Sequence, residues 1–307
     1  MLDRKFELSR ERVIKYKSPG VIKQNISGWM VMAPTLLLFA FFVWEPLLAS
    51  IRLSFYSAKG MRVIEFVGFK NYIDVLHHPD FLPAIRNTFS YTIWSLVIGF
   101  LVPIVLAIII NEMVHAKSFF RVGTYFPNIV PGLATVLMWG FIFRPGKTGV
   151  LNIILGQLGI EPMVWLSNPK LTIPLIVVTM TWKAAGATAL IYLASLQGIN
   201  PELYEAAIID GAGIWDRIKH VTIPGLRNLA RTLLILQVIS VFQILYEPLV
   251  MTNGGPNNAS ISIMQLVFKY AFEKFDYPKA AAVSVIISIF LIILTAVYNK
   301  FSKVQDI

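Results

Sequence analysis

Cysteine is absent from this chain of 307 residues. Without thiols the chain can form neither disulfide bridges nor thiolate-ligated metal sites, although this says little about its compartment. Charge is also scarce, because Asp, Glu, Lys and Arg together make up 14% of the residues, whereas a soluble domain carries about 25%. Hydrophobic residues reach 56% and come in blocks, so the composition predicts a membrane protein.

Patterns that carry covalent or metal catalysis are also lacking. The sequence has no His-Glu-x-x-His and no Gly-x-Ser-x-Gly. The segment "PGKTG" looks like part of a phosphate-binding loop, but such a loop needs a glycine five residues before its Gly-Lys-Thr, where this chain has Phe141. We therefore expect a chain that is not an enzyme and that itself holds neither a metal ion nor a cofactor.

Six apolar blocks are long enough to cross a bilayer, whose core of about 30 Å takes roughly 20 helical residues. They lie at about 29–54, 87–111, 125–143, 172–196, 229–251 and 280–301. Prolines interrupt the second and third blocks, which a bundle tolerates where neighbouring helices or a cavity satisfy the freed carbonyls. The sequence predicts an all-α membrane protein with six transmembrane helices: a basic tail over 1–28, then one membrane domain over 29–307 with its core at 87–301.

Basic residues set the expected orientation. Seven Lys and Arg residues precede residue 29, and such an excess before the first span usually lies on the cytoplasmic side. With six spans, both termini are then expected in the cytoplasm. The net charge of +10 is explained by this topology and by contact with the lipid bilayer, so we do not expect nucleic acid as a partner.

Polar side chains inside the spans are candidates for a solute pathway. Lys183 lies near the middle of the fourth block, where a charge is costly and usually faces a water-filled cavity or a partner. The fifth block carries more polar residues, which helical spacing places on two adjacent stripes: Gln237 and Ser240 on one, and Gln243, Tyr246 and Glu247 on the other. These side chains either line a hydrophilic wall or form hydrogen bonds between helices, and an interfacial position is an equal alternative for Glu247.

A polar segment separates the fourth and fifth blocks, and we call residues 197–228 the polar hairpin. Asn200 and Pro201 suit the start of a short helix, which Asp210 and Gly211 end. A second short, amphipathic helix follows a second pivot at Gly213 and is expected to end near Pro224-Gly225. Its apolar face either lies on lipid headgroups or docks in a groove of a partner protein, and spacing alone leaves both alternatives open.

Within the polar hairpin, "EAAIIDGAGIWDRIKHVTIP" resembles the cytoplasmic signature of binding-protein-dependent ABC importer permeases. That signature is Glu-Ala-Ala, three residues, Gly, nine residues and then Ile-x-Leu-Pro, and its matching positions here are Glu205, Ala206, Ala207, Gly211 and Pro224. The usual Ile and Leu are replaced mildly, by Val221 and Ile223. The segments "FVGFKNYIDVL", "LIYLASLQGINPELYEAA" and "LVMTNGGPNNAS" resemble the carbohydrate-uptake branch, which includes maltose and glycerol-phosphate permeases. The likeness covers about 66–300 and leaves out 1–28.

The resemblance implies a type I importer permease fold with a cytoplasmic coupling helix, the 197–228 segment, between helices 4 and 5. It implies a chain of the bacterial or archaeal cytoplasmic membrane that imports a sugar or oligosaccharide. Its implied partners are a second, similar permease subunit, two ATP-binding subunits that carry the ATP and magnesium, and an extracytoplasmic solute-binding protein. Glu205 would pair with a basic residue of the ATPase, with Asp210 and Gly211 at the sharp turn. Lys183, Gln237 and Ser240 would line the cavity.

The sequence also allows other functions. An importer of glycerol phosphate or of an acidic saccharide would also suit Lys183. A secondary transporter would need no ATPase and usually shows paired repeats with broken helices, and we find no such pairing in the sequence. A membrane scaffold would leave Lys183 and the polar stripes unexplained. For an importer, we expect Gly211→Asp to uncouple transport by clashing at the turn and by adding charge to the docking face.

Overall fold

The computed structural model describes residues 19–60 and 62–303. The chain divides into two compact units, Met1–Leu53 and Ser54–Ile307. In the first unit a helix at Pro19–Phe39 continues through a π-helical turn at Ala40–Trp44 into a helix at Glu45–Leu53. Its apolar stretch, Gly28–Leu53, is long enough to cross a membrane and agrees with the predicted first span.

The second unit contains the other spans. Among the described residues of the whole chain, five helices are long and apolar enough to cross a membrane, and a bent pair makes up to six. We number them spans 1 to 6 in chain order: Gly28–Leu53, Phe81–Glu112, the bent pair Lys117–Ile129 and Gly132–Ile142, Thr172–Leu196, Ile214–Phe242 and Tyr277–Phe301. The helical membrane fold predicted from the sequence is confirmed.

Shorter elements connect the spans. A two-stranded antiparallel hairpin, Tyr56–Lys59 with Arg62–Phe66, follows span 1 and pairs Tyr56 with Phe66. The connecting helices are Lys70–Leu76, Val150–Gly156, Pro201–Ile209, Tyr246–Thr252 and Ile263–Phe268, the last continued by a π-helical turn at Lys269–Glu273. The final helix extends over Tyr277–Lys303.

Three prolines within membrane helices each follow a π-helical turn. A helical proline cannot donate to the carbonyl four residues earlier, and its ring clashes with that carbonyl. In each case that carbonyl belongs to a residue of the π-helical turn, where the ladder is already widened. The prolines and their turns are Pro46 after Ala40–Trp44, Pro103 after Ser95–Gly99, and Pro224 after Ile218–Thr222. The helices therefore continue through these prolines.

Span 3 is broken rather than continuous. Its first half, Lys117–Ile129, and its second half, Gly132–Ile142, meet at an angle of 96°. Val130 has an extended backbone with ψ 129°, and Pro131 follows it without an N–H to donate. The sequence predicted that prolines would interrupt this block, and the break is between Ile129 and Gly132.

Span 4 packs closely against the first half of span 3. A Cβ atom on Gly186 would lie within 1.8 Å of the backbone oxygen of Thr124. Only glycine allows the two backbones to approach this closely, as small residues do at membrane helix interfaces. The contact fixes span 4 directly beside the first half of span 3.

The loop before the last span is joined to span 2 by hydrogen bonds that are buried or partly buried. Asn87 donates to the carbonyls of Asn258, at 2.7 Å, and Ile261, at 3.1 Å. Tyr91 donates to the carbonyl of Ser260 at 3.0 Å. These bonds give three carbonyls of the irregular segment hydrogen-bond donors from span 2.

Candidate functional site

The first arm of the polar hairpin forms as predicted. The side chain of Asn200 accepts a hydrogen bond from the backbone N–H of Glu202 at 3.1 Å and caps the helix Pro201–Ile209. Glu205 and Ala206 on this helix are exposed, and Ala207 is half-buried. The start of the signature is therefore available at the surface of this chain.

The turn of the hairpin depends on the backbone of Gly211. Its φ of +81° lies in the region that L side chains rarely adopt. A Cβ atom at Gly211 would meet nothing within 4 Å, so the expected clash of a larger residue at this turn does not occur within this chain. Backbone strain, rather than lack of space, is the reason for glycine here. Gly213, the second expected pivot, has an ordinary extended backbone with φ −70° and ψ 176°.

The sequence predicted that the helix of the second arm ends near Pro224, but the helix continues past this residue. The helix begins at Ile214 and passes through the π-helical turn Ile218–Thr222 into the helix Ile223–Phe242, so one span continues to Phe242. The carbonyl that would meet the Pro224 ring belongs to His220, inside the π-helical turn. The hairpin is thus a short helix joined by a turn to the extended start of span 5.

Large apolar side chains are exposed around the turn, and we call them the tip surface. Ile209 is 85% exposed and Trp215 is 80% exposed. Leu203, Ile208 and Ile214 are also exposed. Contiguous exposed apolar residues mark a contact with a protein or a membrane, and exposed glutamate and aspartate carboxylates stand beside them.

Two contacts hold the arms of the polar hairpin together, and a third joins the hairpin to span 2. The hydroxyls of Tyr204 and Thr222 are 3.1 Å apart and join the two arms. Arg217 lies 3.9 Å from Glu112 at the end of span 2. A Cβ on Gly225 would come within 2.4 Å of the Ile199 side chain, so the base of the hairpin is closely packed. The two arms are therefore fixed to each other, and the ion pair with Glu112 connects the hairpin to span 2.

Lys183 in span 4 is half-buried, and its side chain reaches the break in span 3. Its Nζ donates to the carbonyl of Val130 at 2.5 Å. The structure thus gives the ammonium a protein partner, and two of its three N–H donors remain for other acceptors.

Gln237 forms a hydrogen bond between helices. Its Nε2 donates to Ser95 Oγ of span 2 at 2.6 Å. Gly99 lies close to this bond, since a Cβ on it would be 2.7 Å from the same nitrogen. Ser240, one turn further, is exposed. The two residues predicted for one stripe therefore have different surroundings.

The second predicted stripe of span 5 is not a single helical stripe. The helix ends at Phe242, and a new helix covers Tyr246–Thr252. Pro248 cannot donate to the carbonyl of Ile244, which instead accepts from Ser262 Oγ at 2.6 Å. Gln243 is therefore in the connection, whereas Tyr246 and Glu247 begin the new helix. Gln243 and Tyr246 are exposed, and Glu247 is half-buried.

The fifth predicted block is interrupted after Phe242, where span 5 ends, and we call this interruption the break in span 5. It lies beside the break in span 3. A Cβ on Gly132 would be 3.4 Å from the ring of Tyr246, and Lys183 connects the same region to span 4. Two of the six predicted pathway residues, Lys183 and Tyr246, thus lie in one polar region around two broken helices. Ser240 and Gln243 are exposed, Glu247 is half-buried beside Tyr246, and Gln237 is bonded to span 2.

Residues 99–306 match the model of the family described as binding-protein-dependent transport system inner membrane component. The chain belongs to this family. The match includes the polar hairpin and spans 4 to 6, and it confirms the resemblance seen in the sequence. The protein is therefore a multi-pass permease of the ABC transporter class.

Several curated proteins resemble this permease over nearly their whole length. The trehalose/maltose transport system permease protein MalF of Thermococcus litoralis is 31% identical, over 90% of this chain and 93% of its own. The lactose transport system permease protein LacF of Rhizobium radiobacter is 30% identical, over 88% and 92%. The probable ABC transporter permease protein YurN of Bacillus subtilis is 29% identical, over 92% and 98%.

A solved structure shares the fold of the permease. It is a chain of a bacterial ABC transporter involved in the import of the acidic polysaccharide alginate. The two chains superpose with a TM-score of 0.82 and 24% sequence identity, covering 92% of this chain and 97% of the other. The shared fold therefore extends over nearly the entire permease.

Sequence reasoning missed the partners of the polar residues in this permease. Ser95 lies 142 positions from Gln237, and the partner of Lys183 is a backbone carbonyl, which no residue type reveals. Glu112, which pairs with Arg217, was detectable only as a charge at the end of a span. The prolines at 131 and 248 were the available indications that spans 3 and 5 break.

Proposed function

We propose that this permease imports a sugar or oligosaccharide, using ATP that a separate subunit hydrolyses. The observation that carries the proposal is the exposed polar hairpin, which bears the family signature and an apolar tip surface. The carbohydrate substrate is supported by relatives named for trehalose, maltose and lactose transport. ATP and magnesium belong to the partner ATPase and not to this chain.

The tip surface docks in a cleft of the ATP-binding subunit. Glu205 and Asp210 face basic residues there, the small Ala206 and Ala207 allow close approach, and Gly211 shapes the turn. When ATP closes two such subunits, the docked hairpins move together and shift the permease between inward-open and outward-open states. The shift requires that ATP bind one state more tightly than the other. Pro224 and its π-helical turn carry the hairpin directly into span 5.

The complete importer contains further chains. A second, similar permease subunit completes the pathway, and a solute-binding protein delivers the substrate from outside the cytoplasmic membrane. A solved alginate transporter has been described in complex with an alginate pentasaccharide-bound periplasmic protein, which supports this arrangement. Both termini of the permease lie in the cytoplasm, on the side of the polar hairpin.

The solute passes the polar region around the two broken helices. Ser240, Gln243 and Tyr246 offer hydroxyl and amide groups that suit the hydroxyls of a saccharide. The positive charge of Lys183 is partly compensated by the Val130 carbonyl. This compensation favours a neutral saccharide over an acidic saccharide or glycerol phosphate.

Uptake into proteoliposomes tests the proposal. The permease is expressed with its chromosomal neighbours, purified through a tag on this chain and reconstituted. Neutral oligosaccharides, acidic oligosaccharides and glycerol phosphate are each offered with the binding protein, with ATP or with a non-hydrolysable analogue. We expect an ATP-binding subunit in the purified complex and uptake of a neutral saccharide only with ATP. Uptake driven by an ion gradient without ATP would indicate a secondary transporter and contradict the proposal.

A further inference from the structure

The break in span 3 leaves backbone groups that need partners. The last carbonyls of a helix accept no hydrogen bond from an N–H of the same helix, and Pro131 has no N–H to donate to the preceding turn. Water is scarce inside a bilayer, so irregular backbone persists only where protein or a wet cavity satisfies it. The carbonyl of Val130 stands at this position.

Lys183 supplies the missing donor. Its Nζ lies 2.5 Å from the Val130 oxygen, which belongs to the residue that ends the first half of span 3. Hydrogen bonds from an ionised donor are stronger than neutral ones. A cation at the C-terminal end of a helix is also favoured by the helix dipole. Both effects act on the same atom pair.

A second contact lies one helical turn away on span 4. The backbone at Gly186 touches the backbone of Thr124, since a Cβ there would overlap the Thr124 oxygen at 1.8 Å. Gly186 and Lys183 are three residues apart and so share one face of the helix. Span 4 therefore holds the first half of span 3 at two points, in its middle and at its end.

The second half of span 3 packs against a different element. A Cβ on Gly132, its first residue, would be in van der Waals contact with the Tyr246 ring. Tyr246 begins the short helix after the break in span 5. The bend at Val130 thus separates a half that is fixed to span 4 from a half that contacts the start of another short helix.

We propose that Lys183 is a positioning residue that fixes the bend of span 3 by holding the Val130 carbonyl. Its principal role is then to set the geometry of the two broken helices rather than to bind the solute. The transport part of this inference rests on the proposed function, but the geometric part does not. Removing the ammonium frees the bend, and the second half of span 3 samples a wider range of angles.

Spin labels on the two halves of span 3 test the geometric part. Because the chain has no cysteine, Phe126→Cys and Leu137→Cys, both at exposed positions, place the only thiols of this chain on either side of the bend. The complex without introduced cysteines gives the background. The distance distribution is compared for native Lys183, Lys183→Met and Lys183→Arg. Thr188→Val is the control, because the hydrogen bond of Thr188 among the described residues is to Ala184 in its own helix.

We expect Lys183→Met to broaden or shift the distance distribution, while Lys183→Arg and Thr188→Val leave it as in the native chain. In uptake, Lys183→Met is expected to lower the maximal rate about tenfold, the loss expected for one charged hydrogen bond, with an unchanged half-saturating concentration. An unchanged distance distribution in Lys183→Met would overturn the inference. So would a raised half-saturating concentration with native distances, because Lys183 would then act as a solute ligand. If Lys183→Met does not insert, the same comparison is made with Lys183→Gln.

Failure of this inference is distinguishable from failure of the proposed function. The label distances need no substrate and no ATP. A native distance distribution in Lys183→Met overturns the positioning role even if saccharide uptake is found. A changed distribution supports it even if the transported solute proves to be another compound.

Discussion

Replacing Gly211 by alanine separates backbone strain from steric fit at the polar hairpin. The φ of +81° at this position costs an L-residue about 1–2 kcal/mol, whereas a Cβ would meet nothing within 4 Å. A cost of this size changes a conformational population by a factor of about 5–30. If the turn must keep this conformation to dock, the apparent affinity for the ATP-binding subunit falls by the same factor.

A short series of variants makes this prediction specific. Asparagine tolerates the left-handed region better than alanine, so Gly211→Asn should lose less affinity than Gly211→Ala. Gly213→Ala is the matched control, because Gly213 is two residues away with an extended backbone and ordinary contacts, and it should bind nearly as the native chain does. Gly211→Asp has similar backbone tolerance to Gly211→Asn and adds a charge, so any greater loss measures charge at the docking face.

Binding and uptake are measured on the same preparations. Titration of the purified permease with the ATP-binding subunit gives the apparent affinity, and ATP-driven uptake gives the functional effect. We expect the order native, Gly213→Ala, Gly211→Asn and Gly211→Ala, from strongest to weakest. Equal affinities for Gly211→Ala and Gly213→Ala would refute the reasoning, because the positive φ would then have no role in docking.

Two further predictions concern packing and charge. Gly186→Ala should lower the thermal unfolding temperature of the detergent-purified protein, because its Cβ would overlap Thr124 at a cost of about 1–3 kcal/mol. Gly123→Ala is the control, because a Cβ there meets nothing within 4 Å. Equal melting temperatures of the two variants would contradict the close approach of the helices. Charge reversal in Arg217→Glu should impair ATP-driven uptake, because the new carboxylate repels Glu112. Adding Glu112→Arg should restore part of the uptake. If the loss in the double variant equals the sum of the losses in the two single variants, the pair is not coupled.

The sequence predicted the spans because burial in lipid demands long apolar helices. Thr172–Leu196 was located to the residue, and the cap of the short helix at Asn200 followed from local hydrogen bonding alone. The likeness of the hairpin to a family signature also identified the family, which the match over 99–306 confirms. These features depend on neighbouring residues, so a single sequence contains them.

One error arose from a neighbouring turn, and another arose where a distant side chain decides the local structure. Pro224 ends a helix by its own preference, but the π-helical turn before it lets span 5 continue. Span 5 was predicted to continue past Phe242, although the Ile244 carbonyl finds its donor in Ser262. The roles of Glu205, Asp210 and the pathway residues are still predictions, because they depend on partners outside this chain.

The most direct test of the account is a site-specific cross-link from the tip of the polar hairpin. Ala206→Cys introduces a single thiol into this cysteine-free chain. A photoactivatable cross-linker is attached to this thiol in the assembled complex. Leu158→Cys, in the connection before span 4, is the control. We predict that light joins Ala206→Cys, and not Leu158→Cys, to an ATP-binding subunit, and that mass spectrometry finds the site in a cleft of that subunit. A transport-active complex in which Ala206→Cys cross-links only to lipid would contradict the claim that this hairpin couples ATP hydrolysis to transport.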